Sequence, residues 1–424
     1  MICLMTLPEW FGPSAGSPGW WSEQQKYSLP RIEPLENHQC RITFLWRDPA
    51  GTEKTSDCQR VWINITGVTD HHQPAPPCSL ERLPGSDLWF WQTLLPSDWR
   101  GSYCLIPSTS PQGPDAASPG EQRRMWWREQ FHHAIADPLN PLRSWRGGRG
   151  MEVSALHLPD APPQPEWQAT DQHQHQQPPV RTRSLLWESS RLANRRTVSL
   201  LETGECRSAQ RPLVLLLDGE FWLTSMPLAA PLQTLTTQQQ LPSAIYLFID
   251  AIDRTHRSLE LPCYPAFWEA VQDELLPLVS AHTGWLAAAE RTLVVGQSFG
   301  GLSAVYATLN WPQCFGQAVS LSGSFWWPSR GETHGQLISQ VIRQRFPAAP
   351  RRLWLEAGKR EPAVCQANQM LYQALQQHQI NSCLTLTEGG HDALCWRGGL
   401  LNGLRDLLTT PISSSLLSAT GDGD

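Results

Sequence analysis

Two domains of different class are predicted from the sequence, an all-β domain followed by an α/β domain on a mostly parallel sheet. Three observations predict them. The chain has 424 residues, more than one hydrophobic core comfortably fills. Between 38 and 106, short β-rich runs succeed one another with turn residues between them. From 181 onward the runs become continuous apolar strands separated by helical stretches, the pattern of a sheet covered on both faces.

In chain order, residues 1–30 are rich in proline and glycine and read as an irregular arm packed on something larger. Cys40–Trp46, Arg60–Ile65, Asp87–Leu95 and Gly101–Ile106 read as strands. Four or more at this spacing argue an antiparallel sandwich of immunoglobulin-like type, with Trp46, Trp62, Trp89 and Trp91 in its core. Residues 107–120 read as a long loop. Glu121–Ala136 reads as a helix, stopped by Asp137-Pro-Leu-Asn-Pro because proline forbids helix continuation. The first domain is assigned to 1–150. A linker is assigned to 151–180, where glycine, proline, glutamine and histidine dominate. His173 and His175 lack cysteine or acidic companions at ligand spacing, so a solvated linker is favoured over a metal tract.

The α/β domain is assigned to 181–415. Ser184–Trp187 and Arg196–Leu201 open its sheet, and Arg211–Asp218 and Ala244–Asp250 are buried central strands. Leu293–Val295, Gln317–Ser320, Arg352–Leu355 and Cys383–Leu386 continue it. Strands alternating with helices require right-handed parallel crossovers, which place an active site at the carboxyl ends of the strands.

Composition excludes several function classes. A net charge of −6 offers no basic footprint for nucleic acid. No apolar run approaches the length of a membrane span, and the first residues lack the basic start and apolar stretch of a secretory signal. Eleven cysteines are scattered without a CxxC pair, which suits a reducing, cytoplasmic compartment.

Chemistry concentrates around Gly296-Gln-Ser298-Phe-Gly300. An apolar strand breaks at Gly296, turns through Ser298 and resumes as a small-residue helix, the strand–turn–helix setting that a G-x-S-x-G nucleophile elbow requires. Serine alone is a poor nucleophile, so a base and an orienting acid should follow it in the chain. His391 is the base candidate, because Glu388-Gly-Gly-His-Asp is a glycine loop between the last strand and the last helix. His334 lies in a charged loop and His378 in a polar helix. Glu361 is the preferred acid, in a loop after a strand. Glu356 at that strand's end and Asp392 beside the base are the alternatives. The oxyanion donors are the N–H of Phe299 and one from Glu220 or Phe221, in the loop after Asp218-Gly219. Arg254 and Arg257, Trp326 and Trp327 with Arg330, and Trp396 with Arg397 follow strand ends or the base, and suit an anionic aromatic substrate.

These stretches together resemble the enterochelin (enterobactin) esterases over nearly the whole chain. The resemblance is carried by Leu217-Asp-Gly-Glu-Phe-Trp222, His256-Arg-Ser-Leu-Glu-Leu-Pro-Cys263, Gly296-Gln-Ser-Phe-Gly-Gly-Leu302 and Ser322-Gly-Ser-Phe-Trp-Trp-Pro328. It continues through Leu355-Glu-Ala-Gly-Lys-Arg-Glu-Pro362 and Gly389-Gly-His-Asp-Ala-Leu-Cys-Trp-Arg-Gly-Gly399, the most specific of them. The resemblance implies an α/β-hydrolase domain behind an immunoglobulin-like domain. It implies hydrolysis of the trilactone backbone of ferric enterobactin to dihydroxybenzoylserine units in the cytoplasm, with Ser298 and His391 as nucleophile and base. Glu361 fits the acid position, and Arg257 fits a position contacting the anionic catecholates. No cofactor or protein-held metal is implied, since iron arrives within the siderophore. The competing readings are another carboxylesterase, thioesterase or acyltransferase of the same fold, and a non-catalytic siderophore-binding protein.

Overall fold

The computed structural model describes residues 7–70, 72–114, 120–148, 150–172, 180–329 and 334–409. It divides into two compact units, Met1–His175 with Glu388–Cys395, and Gln176–Thr387 with Trp396–Asp424. His173, His175 and Arg330, singled out above, lie outside the described residues, as does the end of the assigned 181–415 domain beyond 409.

The first unit is built on strands β1 (Arg31–Leu35), β2 (Gln39–Arg47), β3 (Arg60–Ile65), β4 (Cys78–Arg82), β5 (Leu88–Pro96), β6 (Arg100–Ser108), β7 (Trp145–Arg146) and β8 (Glu152–His157). Their spatial order is β1-β2-β5-β4-β3-β6-β8-β7, and every pairing is antiparallel. Strand β4 pairs with β3 along one edge and with β5 through only Glu81 and Arg82, so it joins two halves. Side chains alternate across each strand. Ile42, Phe44 and Trp46 of β2 share one core with Trp89 and Trp91 of β5, and with Val61, Ile63, Ile65, Tyr103 and Leu105 of β3 and β6. Leu45, Leu88 and Phe90 face the other way and are covered by Phe11, Trp20 and Trp21 of the N-terminal arm. The arm's short helix Pro18–Gln24 starts with Ser17, whose Oγ accepts from the Trp20 N–H. Trp46, Trp62, Trp89 and Trp91 are all buried, as the core reading expects.

The linker assignment needs correction. Residues 152–157 are strand β8, paired with β6, and Trp167 further on is fully buried. Val153, Ala155 and Leu156 give too short an apolar pattern to stand out beside the Gly/Pro-rich runs on either side. The helix expected over 121–136 runs from Gly120 to Gln130 and tightens to a 3₁₀ turn at Phe131–His133.

The second unit holds β9 (Arg183–Ser189), β10 (Asn194–Glu202), β11 (Leu213–Leu217), β12 (Ile245–Ile249), β13 (Thr292–Gln297), β14 (Gln317–Leu321), β15 (Arg352–Gly358) and β16 (Asn381–Thr387). They lie in the order β16-β15-β14-β13-β11-β12-β10-β9. Strands β11 to β16 are parallel, while β10 is antiparallel to both β12 and β9. Every residue of β11, β12 and β14 is buried, which explains their unbroken apolar sequences. β12 and β13 flank β11 on opposite sides, so the order reverses there and the carboxyl ends of β11 and β13 open side by side. Helix Phe299–Asn310 is buried from Gly300 to Leu309, as its all-round apolar sequence requires. Among the described residues no helix is long and apolar enough to cross a membrane, and no group of three His, Cys, Asp or Glu side chains is placed to hold a metal. The described cysteines are all free thiols.

Candidate active site

Ser298 stands at the turn between β13 and helix Phe299–Asn310 with φ 57° and ψ −119°. A non-glycine residue in that region costs on the order of 1–3 kcal/mol, and the surroundings must hold it there. They do so with three backbone bonds. The Ser298 N–H donates to Leu321 O at 2.9 Å, while its carbonyl accepts from Leu302 N at 3.1 Å and Ser324 N at 3.0 Å. Gly296 and Gly301 are required by close approach. A Cβ on Gly296 would lie 2.3 Å from the Gly300 carbonyl carbon, and one on Gly301 would lie 2.6 Å from Ser320 Oγ. The nucleophile candidate is thereby half-exposed, with its Oγ 3.3 Å from Ser324 Oγ.

Phe299 opens the helix that follows, where first-turn N–H groups have no intrahelical acceptor. The second candidate donor loop leaves β11 at Asp218, which has φ 58°. Gly219 then passes so close over β12 that a Cβ would meet Ile249 N at 2.6 Å. Glu220 is exposed and Phe221 half-buried, the latter opening a π-helical turn, Phe221–Ser225. Asp250, at the end of β12, has its carboxyl pushed up to about 6 by burial and next by the charge of Glu220, while the Glu220 backbone N–H and Arg196 oppose the rise.

A polar brace ties this loop to the elbow, and sequence reasoning missed it. Gln297, the middle residue between Gly296 and Ser298, donates from Nε2 to Asp218 Oδ2 at 2.8 Å and accepts from Trp222 Nε1 at 3.1 Å. Arg257 completes the brace, with Nε 2.6 Å from Asp218 Oδ1 and Nη2 2.8 Å from Oδ2. Arg257, expected to meet a substrate anion, is here bound to a carboxylate of the chain itself. Its guanidinium is engaged as a fork on a buried carboxylate, and the Asp218 charge holds its pKa up although burial acts to lower it. A polar residue at the otherwise apolar end of β13 was the available signal.

Glu361 is buried just before helix Pro362–Gln377. Its Oε1 accepts from the Gly358 N–H at 2.9 Å and from Ser322 Oγ in a short hydrogen bond. Ser322, with φ 47°, also accepts from Trp396 Nε1 at 2.9 Å. The β14–β15 ends thus carry a Trp396–Ser322–Glu361 relay, of which Ser322 was not foreseen. Glu356 is buried as well, its carboxylate lying against Gly399 of helix Ala393–Thr409, 2.4 Å from where a Cβ there would stand. Trp327 and Trp396 are half-buried, and Phe299 meets Trp326 at 5.9 Å between ring centroids. Arg397 departs from the expected rim position. It is buried to 1% exposure with Nη1 3.9 Å from Met226 Sδ, because the helix turns it inward one residue past Trp396. Exposed His334 and half-buried His378 bring no feature of this site together, and His378 pairs with Gln344.

The base candidate belongs to the first unit. Its loop, Glu388–Cys395, clusters with that unit, where the half-buried His391 ring lies 6.1 Å from the ring of His72. Asp392 beside it is buried and accepts from Ser102 and from the Leu394 N–H, so its carboxylate is largely engaged.

A strained serine between a parallel strand and a buried helix, with carboxylates at neighbouring strand ends, defines an esterase of the α/β class. Residues 189–407 match the family model described as a putative esterase, and residues 41–167 match the one described as the enterochelin esterase N-terminal domain. An iron(III) enterobactin esterase of Escherichia coli O6:H1 is 50% identical over 92% of this chain and 96% of its own length. A crystal structure of the ferric enterobactin esterase of Salmonella typhimurium superposes with a TM-score of 0.86 at 48% identity, covering 92% of this chain and 98% of that one. The enterobactin esterase of Shigella flexneri, crystallised in the presence of enterobactin, gives 0.83 at 47% identity over 93% of this chain and 98% of its own. The chain belongs to the iron(III) enterobactin esterase family.

Proposed function

We propose that this chain is a serine esterase that hydrolyses the trilactone ester bonds of ferric enterobactin to dihydroxybenzoylserine units in the cytoplasm. The observation that carries the reading is the 50% identity to an iron(III) enterobactin esterase along 92% of the chain, with the strained Ser298 at the elbow. The first unit is read as an immunoglobulin-like sandwich and the second as an α/β-hydrolase domain, supported by its strand order and the elbow between β13 and the helix that follows.

In the chemistry, His391 accepts the Ser298 Oγ proton as the oxygen bonds to the ester carbonyl carbon. The oxyanion is met by the Phe299 N–H and by one from Glu220 or Phe221. Collapse re-forms the carbonyl and breaks the bond from its carbon to the ester's alkoxy oxygen, which leaves as a seryl hydroxyl with the proton from His391. Water, deprotonated by the same imidazole, then cleaves the acyl-enzyme and returns Ser298. Glu361 orients and offsets the charge of the imidazolium, with Ser322 and Trp396 fixing the carboxylate. Trp327 and Trp396 flank the catechol rings. The protein supplies no cofactor, and iron enters only as part of the substrate.

Incubation with ferric enterobactin and, separately, with a short acyl ester, followed by mass analysis of the products, tests the reading. Dihydroxybenzoylserine and its linear oligomers are expected from the siderophore. Cleavage of the short ester alone would mark a different esterase, and binding without products would mark a non-catalytic siderophore-binding protein.

A further inference from the structure

The loop that carries His391 is pinned within the first unit on both sides of the histidine. Before it, the Arg100 N–H donates to Glu388 O at 3.2 Å. Two glycines then run flush against the unit's backbone. A Cβ on Gly389 would lie 3.0 Å from Arg100 O, and one on Gly390 would lie 2.8 Å from Gly67 N. After the histidine, Asp392 is 2% exposed, and its Oδ2 accepts from both the Ser102 N–H, at 2.8 Å, and the Ser102 hydroxyl. Its Oδ1 accepts from Leu394 N at 2.8 Å, and Gln164 Nε2 donates to Leu394 O at 2.7 Å.

Ser102 itself is fixed. It sits in β6 between β3 and β8, paired with Ala155, and its hydroxyl lies 3.2 Å from Thr66 Oγ1. A buried carboxylate with three donors makes charge-assisted bonds, stronger and more directional than neutral ones. We propose that Asp392 is a positioning residue for the base: clamped to β6 through Ser102, it fixes the backbone beside His391, so the antiparallel sheet of the first unit aims the imidazole. This gives Asp392 a task other than that of a triad acid, and accounts for Gly389-Gly390-His391-Asp392 as one device. The glycines allow the loop to lie on the unit, and the aspartate holds it there. The inference rests on the reading of His391 as the base.

Asp392→Asn preserves size but turns one oxygen into an amide that must face either the Ser102 donors or the Leu394 N–H. Misplacing a base by about 1 Å costs on the order of 100-fold. The kcat for ferric enterobactin and the rate constant for fluorophosphonate labelling of Ser298 should both fall by about that factor, with KM unchanged. Ser102→Ala, which keeps the N–H bond, should lose about 10-fold in both, and Ser102→Thr should retain wild-type rates. A lowered melting temperature with an unchanged labelling rate would mark a merely structural contact and overturn the proposal. If Asp392→Asn does not fold, the Ser102 pair decides, and equal labelling rates in its alanine and threonine forms would overturn the proposal. His391→Ala separates the two readings. Its inactivity beside a fully active Asp392→Asn removes only the positioning role, whereas an active His391→Ala removes the base and this inference with it.

Discussion

Replacing Arg257 with methionine tests whether this arginine serves the substrate or the scaffold. Its side chain is a quarter exposed, and the Asp218 side chain that it grips is 9% exposed. Removing one partner of a buried charge pair typically costs about 3–5 kcal/mol. Here Gln297 Nε2 still donates to Asp218 and solvent already reaches the arginine, so about 2–3 kcal/mol is the appropriate figure. Asp218 leads directly into Gly219, Glu220 and Phe221, so loosening it should also lower kcat by about 10-fold, less than the loss of a whole oxyanion donor. Urea denaturation followed by tryptophan fluorescence reads the first quantity, and steady-state hydrolysis of ferric enterobactin reads the second. Stability and kcat should fall together with KM within about twofold, since a scaffold residue contributes no uniform substrate binding. Unchanged stability with a KM raised about tenfold or more would refute the reasoning and return Arg257 to the substrate.

Glu361→Gln should lower kcat by on the order of 100-fold while leaving the fold intact, because the amide cannot offset an imidazolium; a near-normal kcat would remove Glu361 from the triad. Asp137 offers a pH test. Burial pushes its carboxyl up to about 6 from 3.8, even though Tyr103 and the Leu139 N–H donate to it. The folded chain therefore holds a proton that the unfolded chain has lost, so this contribution is full below about pH 4 and gone above about pH 6. Across that window wild type should lose roughly 3 kcal/mol relative to Asp137→Asn, measured by urea denaturation. A difference between the two that does not vary with pH would contradict it.

The parallel sheet was legible because buried strands such as Leu213–Leu217 and Ile245–Ile249 are unbroken apolar runs, and the elbow because Gly296, tight against the Gly300 backbone, has no room for a side chain. Short strands were not. β1 contains Pro34, and β8 is hidden among glycines and prolines. At the site, residue types were legible and their partners were not. Arg257 and Arg397 look alike in a sequence whether a guanidinium faces solvent or is turned inward. What separates them is Asp218, 39 residues away, and Met226, 171 residues away. Asp392 likewise read as a poor acid beside the base, and its partner Ser102 lies 290 residues earlier. Hydrogen bonds across such separations are set by the fold, and local patterns carry no trace of them.

The central claim is that Ser298 attacks the ester bonds of ferric enterobactin. Ser298→Ala should bind the ferric siderophore as wild type does, by tryptophan quenching, yet release no dihydroxybenzoylserine detectable by mass spectrometry. Undiminished product release from that variant would contradict the account.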